Sequence, residues 1–178
     1  MSNKKKNILV TGGAGFIGSA IVKKLVAIKR YNIINIDKLS YASDLKNLKK
    51  IENSRNYKFI KIDISNFKKL KKIYDKYKPE YVVNCAAESH VDKSIKNSKD
   101  FIQSNIIGTY NILECIRSDI YSNNSRRKNK FKLLHQVSTD EVYGDIDRSK
   151  KIPDENTAYN PSSPYSASKA SSDHLISS

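Results

Sequence analysis

The sequence predicts an α/β protein, a doubly wound parallel sheet built as one domain over residues 1–178. Three observations carry that expectation. Short apolar runs alternate with longer helical stretches along the chain. The first run passes directly into a cluster of glycines, and the second and third runs both end in aspartate. A chain of 178 residues can bury a real core and is too short for two ordinary domains.

The elements follow in order. Asn7 to Thr11 reads as the first strand, followed by glycines and a helix through about Lys29. Asn32 to Ile36 is the second strand, closed by Asp37, and Tyr57 to Ile62 the third, closed by Asp63. Phe67 to Tyr77 is helical, and Pro79 breaks that helix before a fourth strand, Tyr81 to Asn84. A long helix runs from about Asp100 to Ser118, and the polar, basic stretch Tyr121 to Lys130 reads as a loop or frayed helix end. Lys132 to Ser138 is the fifth strand. Asp145 to Pro164 holds three of the four prolines and reads as an irregular excursion, of the kind that carries function at this place in an open sheet. A last helix begins near Tyr165 and is expected to run on to Ser178.

Composition narrows the function. A net charge of +15 raises nucleic acid or an anionic surface as a partner. However, 27 of the 33 basic residues are lysines scattered over nearly every segment, whereas phosphate and base readers favour the planar fork of arginine. The densest cluster, Arg126-Arg127-Lys128, sits in a solvated polar stretch, so no nucleic-acid partner is expected. No apolar run approaches the roughly 18 residues that span a bilayer, so no membrane partner is expected either. Behind Lys4, Lys5 and Lys6 only Ile8-Leu9-Val10 is apolar, where a signal peptide needs about 7 to 15 such residues. A cytoplasmic protein is expected. Cys85 and Cys115 lack metal-ligand spacing and read as reduced, partly buried thiols, with no metal site.

The first strand runs into Thr11-Gly12-Gly13-Ala14-Gly15-Phe16-Ile17-Gly18, a GxxGxxG spacing. One glycine permits the tight turn, another lets a pyrophosphate approach the helix N-terminus, and Gly18 packs that helix on the sheet. With a strand before it, a helix after it and Asp37 closing strand two, this is the fingerprint of a Rossmann-type NAD(P)-binding domain. An ordinary Gly-rich turn of a flavodoxin-like protein is the competing reading. Asp37 can accept hydrogen bonds from both adenosine ribose hydroxyls and would repel an added phosphate, so NAD is the expected cofactor, with Lys38 beside it arguing the other way. Asp63 and Ile64 are placed to touch the adenine. Strand four ends Ala86-Ala87-Glu88-Ser89-His90, where small residues let the nicotinamide side lie close to the backbone. His90 alone reads equally as a ligand group or a satisfied surface histidine, and Cys85 reads as packing.

Tyr165 and Lys169, at i and i+4, share one helix face. An ammonium beside a phenol lowers its pKa and makes it a usable base near neutrality. Strand five ends Ser138-Thr139-Asp140-Glu141-Val142-Tyr143-Gly144, at the edge of the sheet that faces the ligand crevice. Thr139 can bond a sugar hydroxyl, and the paired carboxylates Asp140 and Glu141 suit a reaction needing acid and base on neighbouring carbons. A solvated acidic turn is the bland alternative. The YxxxK pair following the glycine fingerprint points to the short-chain dehydrogenase/reductase superfamily.

Within it the sequence resembles the dTDP-glucose 4,6-dehydratase family. The matching strings are TGGAGFIGS at Thr11 to Ser19, IDKLSYA at Ile36 to Ala42, AAESHVDKSI at Ala86 to Ile95, NIIGT at Asn105 to Thr109, STDEVYGD at Ser138 to Asp145 and SPYSASKASSDHL at Ser163 to Leu175. The pair Asp140-Glu141 sets this resemblance apart from sugar-nucleotide 4-epimerases, which lack the paired acids, and from UDP-glucuronate decarboxylases and GDP-mannose dehydratases, which keep the glutamate but not the aspartate before it. The resemblance implies cofactor contacts from Gly12, Gly15, Phe16, Ile17 and Gly18, and from Asp37, Lys38, Leu39 and Ser40 after strand two. It adds Asp63, Ile64, Ala86, Ala87, Ser89 and Ser104, with Tyr165 and Lys169 at the nicotinamide end. His90, Thr139, Asp140 and Glu141 would meet the nucleotide-sugar, dTDP-glucose.

The implied reaction gives each residue a role. Tyr165 takes the C4 hydroxyl proton as the C4 hydride moves to NAD, Lys169 tunes Tyr165, and Thr139 bonds O4. Glu141 removes the C5 proton, Asp140 protonates the departing C6 hydroxyl, and the hydride returns to C6. Lys93 and Ser104 are mild departures from the family's usual arginine and threonine. Family members continue past the YxxxK helix into a smaller substrate domain and form homodimers. The expectation is therefore a sheet incomplete on its C-terminal side, with weak activity or none alone and dimerisation in doubt. A non-catalytic NAD-binding fragment, or a related epimerase or decarboxylase, is the alternative.

Overall fold

Ile8, Leu9 and Val10 are buried at 5% exposure or less, because their strand lies mid-sheet with helices on both faces. In the computed structural model, which describes residues 5–121, 131–145 and 152–178, this strand is β1 (Lys6–Thr11). It pairs in parallel with β2 (Tyr31–Asp37) on one side and β4 (Tyr81–Asn84) on the other. Outside these, β3 (Tyr57–Lys61) pairs with β2 and β5 (Leu133–Gln136) with β4, giving the order β3-β2-β1-β4-β5. The strand order reverses between β1 and β4, which opens a crevice beyond the carboxyl ends of the strands.

Alternation along β1 builds two cores. Ile8 and Val10 join Val22 and Val26 of α1 (Phe16–Ala27) and Leu48 of a short 3₁₀ helix, Leu45–Ile51. Leu9 points the other way, into Leu70 and Tyr74 of α2 (Phe67–Tyr77) and Ile112, Cys115 and Ile116 of α5 (Gly108–Ile120). Between β4 and α5 lie α3 (Val91–Lys96), α4 (Lys99–Phe101) and a π-helical stretch, Ile102–Ile107, that leads straight into α5. A 3₁₀ turn, Asp140–Tyr143, follows β5, and α6 (Pro164–Ser177) closes the described chain.

The expected fold class, α2 and β4 match this architecture, with differences at several element ends. α1 stops at Ala27, because Lys29 adopts φ 58°, which no helix continues through. The third strand is one residue shorter than expected and the fifth three, ending at Gln136. The expected long helix begins at Lys99 and reaches Ile120. The sequence reading missed α3 and both 3₁₀ segments, whose six, seven and four residues are too few to show a period. The basic cluster Arg126-Arg127-Lys128 and residues 146–151 of the proline-rich excursion lie outside the described residues, as does Lys4. No described helix is long and apolar enough to cross a membrane.

Candidate active site

The turn after β1 comes nearest the fourth strand. Gly12 has φ 65°, and a Cβ there would lie 2.6 Å from the Ala86 backbone nitrogen, so only glycine fits. At Gly18 a Cβ would overlap the Gly12 carbonyl oxygen, which is why α1 can pack so tightly against the turn. α1 opens at Gly15 with no side chain capping it and no acid in its first turn. Its free N–H groups and positive dipole end therefore face the crevice, a setting that favours an anionic ligand group.

Asp37 closes β2 and is 5% exposed. One carboxylate oxygen accepts from the Ala14 N–H at 2.9 Å, and the other from the Leu39 N–H at 2.8 Å and the Ser43 hydroxyl at 2.9 Å. Three donors hold the group rigid at the wall of a cavity shared with Gly12, Gly15, Lys38, Ser40, Asp63 and Ile64. Ala86, Ala87 and Ser104 complete the same wall. Next to it a second cavity is lined by Gly15, Phe16, Ile17, Gly18, Ser89, Tyr165 and Lys169. The two share Gly12, Gly15, Ala42, Cys85 and Ala87, so one trough runs from Asp37 to Tyr165. The expected cofactor residues thus come together, apart from Leu39, which lines only an outer depression with Lys38 and Asp63.

The trough also contains residues the sequence reading passed over. Ala42 and Ser43 line it, and Ser43 is legible only through its bond to Asp37. Cys85, read as packing, lies against both cavities. Burial pushes its thiol up to about 11, with Lys169 pulling weakly the other way.

Tyr165 is 8% exposed and Lys169 4%. Their relation differs from the one the i, i+4 spacing predicts. Burial raises the Tyr165 pKa above the ordinary tyrosine value, Glu141, Asp140 and Asp173 raise it further, and the neighbouring Thr139 hydroxyl lowers it. Lys169 does not offset this, because its ammonium donates to the Val137 carbonyl at 2.6 Å. Burial in turn lowers the Lys169 pKa against the opposing pull of Asp173. Thr139 is half-buried beside the Tyr165 hydroxyl, with Asp140 and Glu141 exposed next to it, and none of the three lines either cavity. His90 is exposed at the N-terminus of α3 and lines neither cavity. Among the described residues no cluster of metal-ligating side chains occurs.

Asn105, in the π-helical stretch, fastens α6 to this trough. Its side chain accepts from the Glu88 N–H at 2.8 Å and donates to the Glu88 carbonyl at 3.0 Å and to the Ser168 hydroxyl at 2.8 Å. Ser168 passes its own proton to the Tyr165 carbonyl at 2.6 Å, and Ser172 donates to the Asn105 carbonyl at 2.7 Å. The Tyr165 N–H is taken by Ser94 of α3 at 3.1 Å. The tyrosine's N–H is thereby held from a neighbouring helix, and its carbonyl by Ser168 of its own helix, which Asn105 holds in turn.

A doubly wound sheet with an uncapped glycine turn, an aspartate closing β2 and a buried Tyr/Lys pair on one trough defines a short-chain dehydrogenase/reductase. Within that class the chain belongs to the sugar-nucleotide dehydratase family whose model, GDP-mannose 4,6 dehydratase, matches residues 9–178. It is 47% identical over 170 residues to the dTDP-glucose 4,6-dehydratase of Haemophilus influenzae, covering 96% of this chain and 50% of that protein. The crystal structure of a Bacillus anthracis dTDP-glucose 4,6-dehydratase in complex with NAD superposes with a TM-score of 0.78 at 40% identity, over 96% of this chain and 49% of that one. A Streptomyces venezuelae dTDP-glucose 4,6-dehydratase solved with NAD gives 0.82 at 36% identity, over 95% and 50%. The resemblance carried by the sequence strings is borne out. The chain spans about half the length of the curated relatives it matches.

Proposed function

We propose that this chain forms the dinucleotide-binding and acid–base part of an NAD-dependent dTDP-glucose 4,6-dehydratase. The observation that carries the reading is the single trough joining the glycine turn and Asp37 to Tyr165 and Lys169. The residues present fit a dinucleotide. The turn lacks the Cβ atoms that would fill it, α1 offers uncapped N–H groups, and Asp37 is held facing the ribose end. The relatives' names supply the substrate class.

Bound NAD would supply the hydride acceptor for C4 and the hydride returned to C6. The chain's own groups then divide the proton transfers. Tyr165 takes the C4 hydroxyl proton and Thr139 bonds that oxygen. Lys169 turns from the Val137 carbonyl to the nicotinamide ribose, bringing a positive charge toward a phenol that burial otherwise keeps protonated. Once C4 is a ketone the C5 proton is acidic; Glu141 removes it and Asp140 protonates the C6 hydroxyl as it leaves as water. His90 belongs to the sugar end. Two unpaired thiols suit a reducing, cytoplasmic setting. Exposed Ile102, Ile107 and Tyr110 along one helix suit a pairing of full-length subunits.

Thermal unfolding tests the cofactor half of this reading. NAD at a hundred times its Kd stabilises the chain by about 2.7 kcal/mol, and NADP at the same concentration does so far less. Supplying the C-terminal half of the Haemophilus influenzae relative tests the chemistry: dTDP-glucose loses one water by mass spectrometry, and Tyr165→Phe slows this about 10³-fold. A chain indifferent to NAD, or a phenylalanine variant as fast as the parent, would refute the assignment.

A further inference from the structure

We propose that Glu88, on the loop after β4, sets the preference for NAD over NADP by taking Lys38 out of use. This rests on the dinucleotide reading above. Lys38 follows the aspartate that faces the ribose, and it lines the same cavity. A free ammonium there is what a 2′-phosphate would seek, so Asp37 alone leaves the discrimination unfinished. In this structure the ammonium is spoken for. Its nitrogen lies 2.7 Å from a Glu88 carboxylate oxygen, with the lysine side chain 31% exposed and the glutamate 9%.

The carboxylate is delivered from a fixed point. The Glu88 N–H and carbonyl are both bonded by Asn105, at 2.8 and 3.0 Å, so the backbone that carries it does not depend on the ion pair. Glu88 lines neither cavity and reaches the cofactor only through Lys38; it is a positioning residue. Asp63 and Asp100 add their negative charge at the same ammonium, and the whole set outweighs the burial that would weaken its hold on the proton. Lys93, the other cation close by, lies over a ring instead, 3.2 Å from the centroid of Tyr41. The result is an ammonium neutralised at the point where a 2′-phosphate would arrive.

Glu88→Gln keeps the side chain's shape and removes its charge. Isothermal titration of the 178-residue chain with NAD and with NADP gives the ratio of the NADP dissociation constant to that of NAD. That ratio falls about tenfold in the glutamine variant, through tighter NADP binding. Adding Lys38→Ala to Glu88→Gln restores the parental ratio. An unchanged ratio in a Glu88→Gln chain that still unfolds cooperatively overturns the proposal while parental NAD binding keeps the dinucleotide reading standing. A parental chain that binds neither dinucleotide overturns both. Should the glutamine variant fail to fold, Lys38→Ala decides: the unpaired Glu88 carboxylate then repels the 2′-phosphate and the ratio widens severalfold, whereas a ratio that stays or narrows overturns the proposal.

Discussion

Tyr165 and Lys169 show what spacing conveys and what it leaves open. The i, i+4 interval placed both on one helix face, as α6 bears out, but it carried no information about the Val137 carbonyl that draws the lysine away. Gly12 and Gly18 were legible because a Cβ at either position would run into backbone, and Asp37 because the Ala14 and Leu39 N–H groups both bond a carboxylate there. Glu88 and Asn105 were not, because their roles come from partners 50 and 17 positions away in the chain, Lys38 and Glu88. The thiols give a prediction at this scale. Burial pushes Cys85 up to about 11 and Cys115 up to about 12, so little thiolate exists at pH 8. Iodoacetamide should alkylate Cys85 in the folded chain about 100-fold more slowly than an unperturbed cysteine, the rate rising with each pH unit toward 11. Denaturant should abolish the protection of both, as peptide mapping would record; a Cys85 that reacts at the free-thiol rate would contradict the burial described.

At the scale of elements, α6 is positioned by local chemistry and by distant side chains, Asn105 and Ser94 among them. Ser163 accepts from the Ser166 N–H at 3.0 Å and Ser166 accepts from the Ser163 N–H at 2.9 Å, with Pro164 at the first helical position. Replacing Ser163 with alanine should cost about 1 kcal/mol, read as a lower urea midpoint with unchanged slope. Asn105→Ala should cost more, about 3 kcal/mol, since it strands the buried Glu88 N–H and its carbonyl together. Equal losses in the two variants would argue against the fastening role given to Asn105. The sequence reading started this helix near Tyr165, one residue past its first at Pro164. The short α3 that supplies Ser94 to the Tyr165 N–H was not legible, being hidden in six residues without a period.

Over the whole molecule the sheet ends in two unlike edges. The β3 edge carries Lys58 and Lys61, both exposed, which deter a further strand. The β5 edge has exposed Leu133 and His135 and no charged side chain between Leu133 and Gln136. Self-association of the isolated chain should therefore proceed through β5, and Leu133→Lys should lower light scattering on storage where a lysine added to β3 does not. The class was legible because apolar runs and crossover helices leave few arrangements, and the resemblance already implied a sheet incomplete on its C-terminal side, beside strand five; the order of the strands emerged only in the structure. The wide turn of Ile102–Ile107 has a consequence of the same reach. Such a bulge holds one residue more than a regular helix requires. Its deletion would spell a better helix, yet it would swing everything downstream by about 100°. The buried amide of Asn111 would leave the carbonyls of Ile64 and Ser65 that it now bonds at 2.9 Å each. The surplus residue works as a phase-setter between the two ends of that helix, and a sequence tidied of it would fold its parts correctly and assemble them out of step.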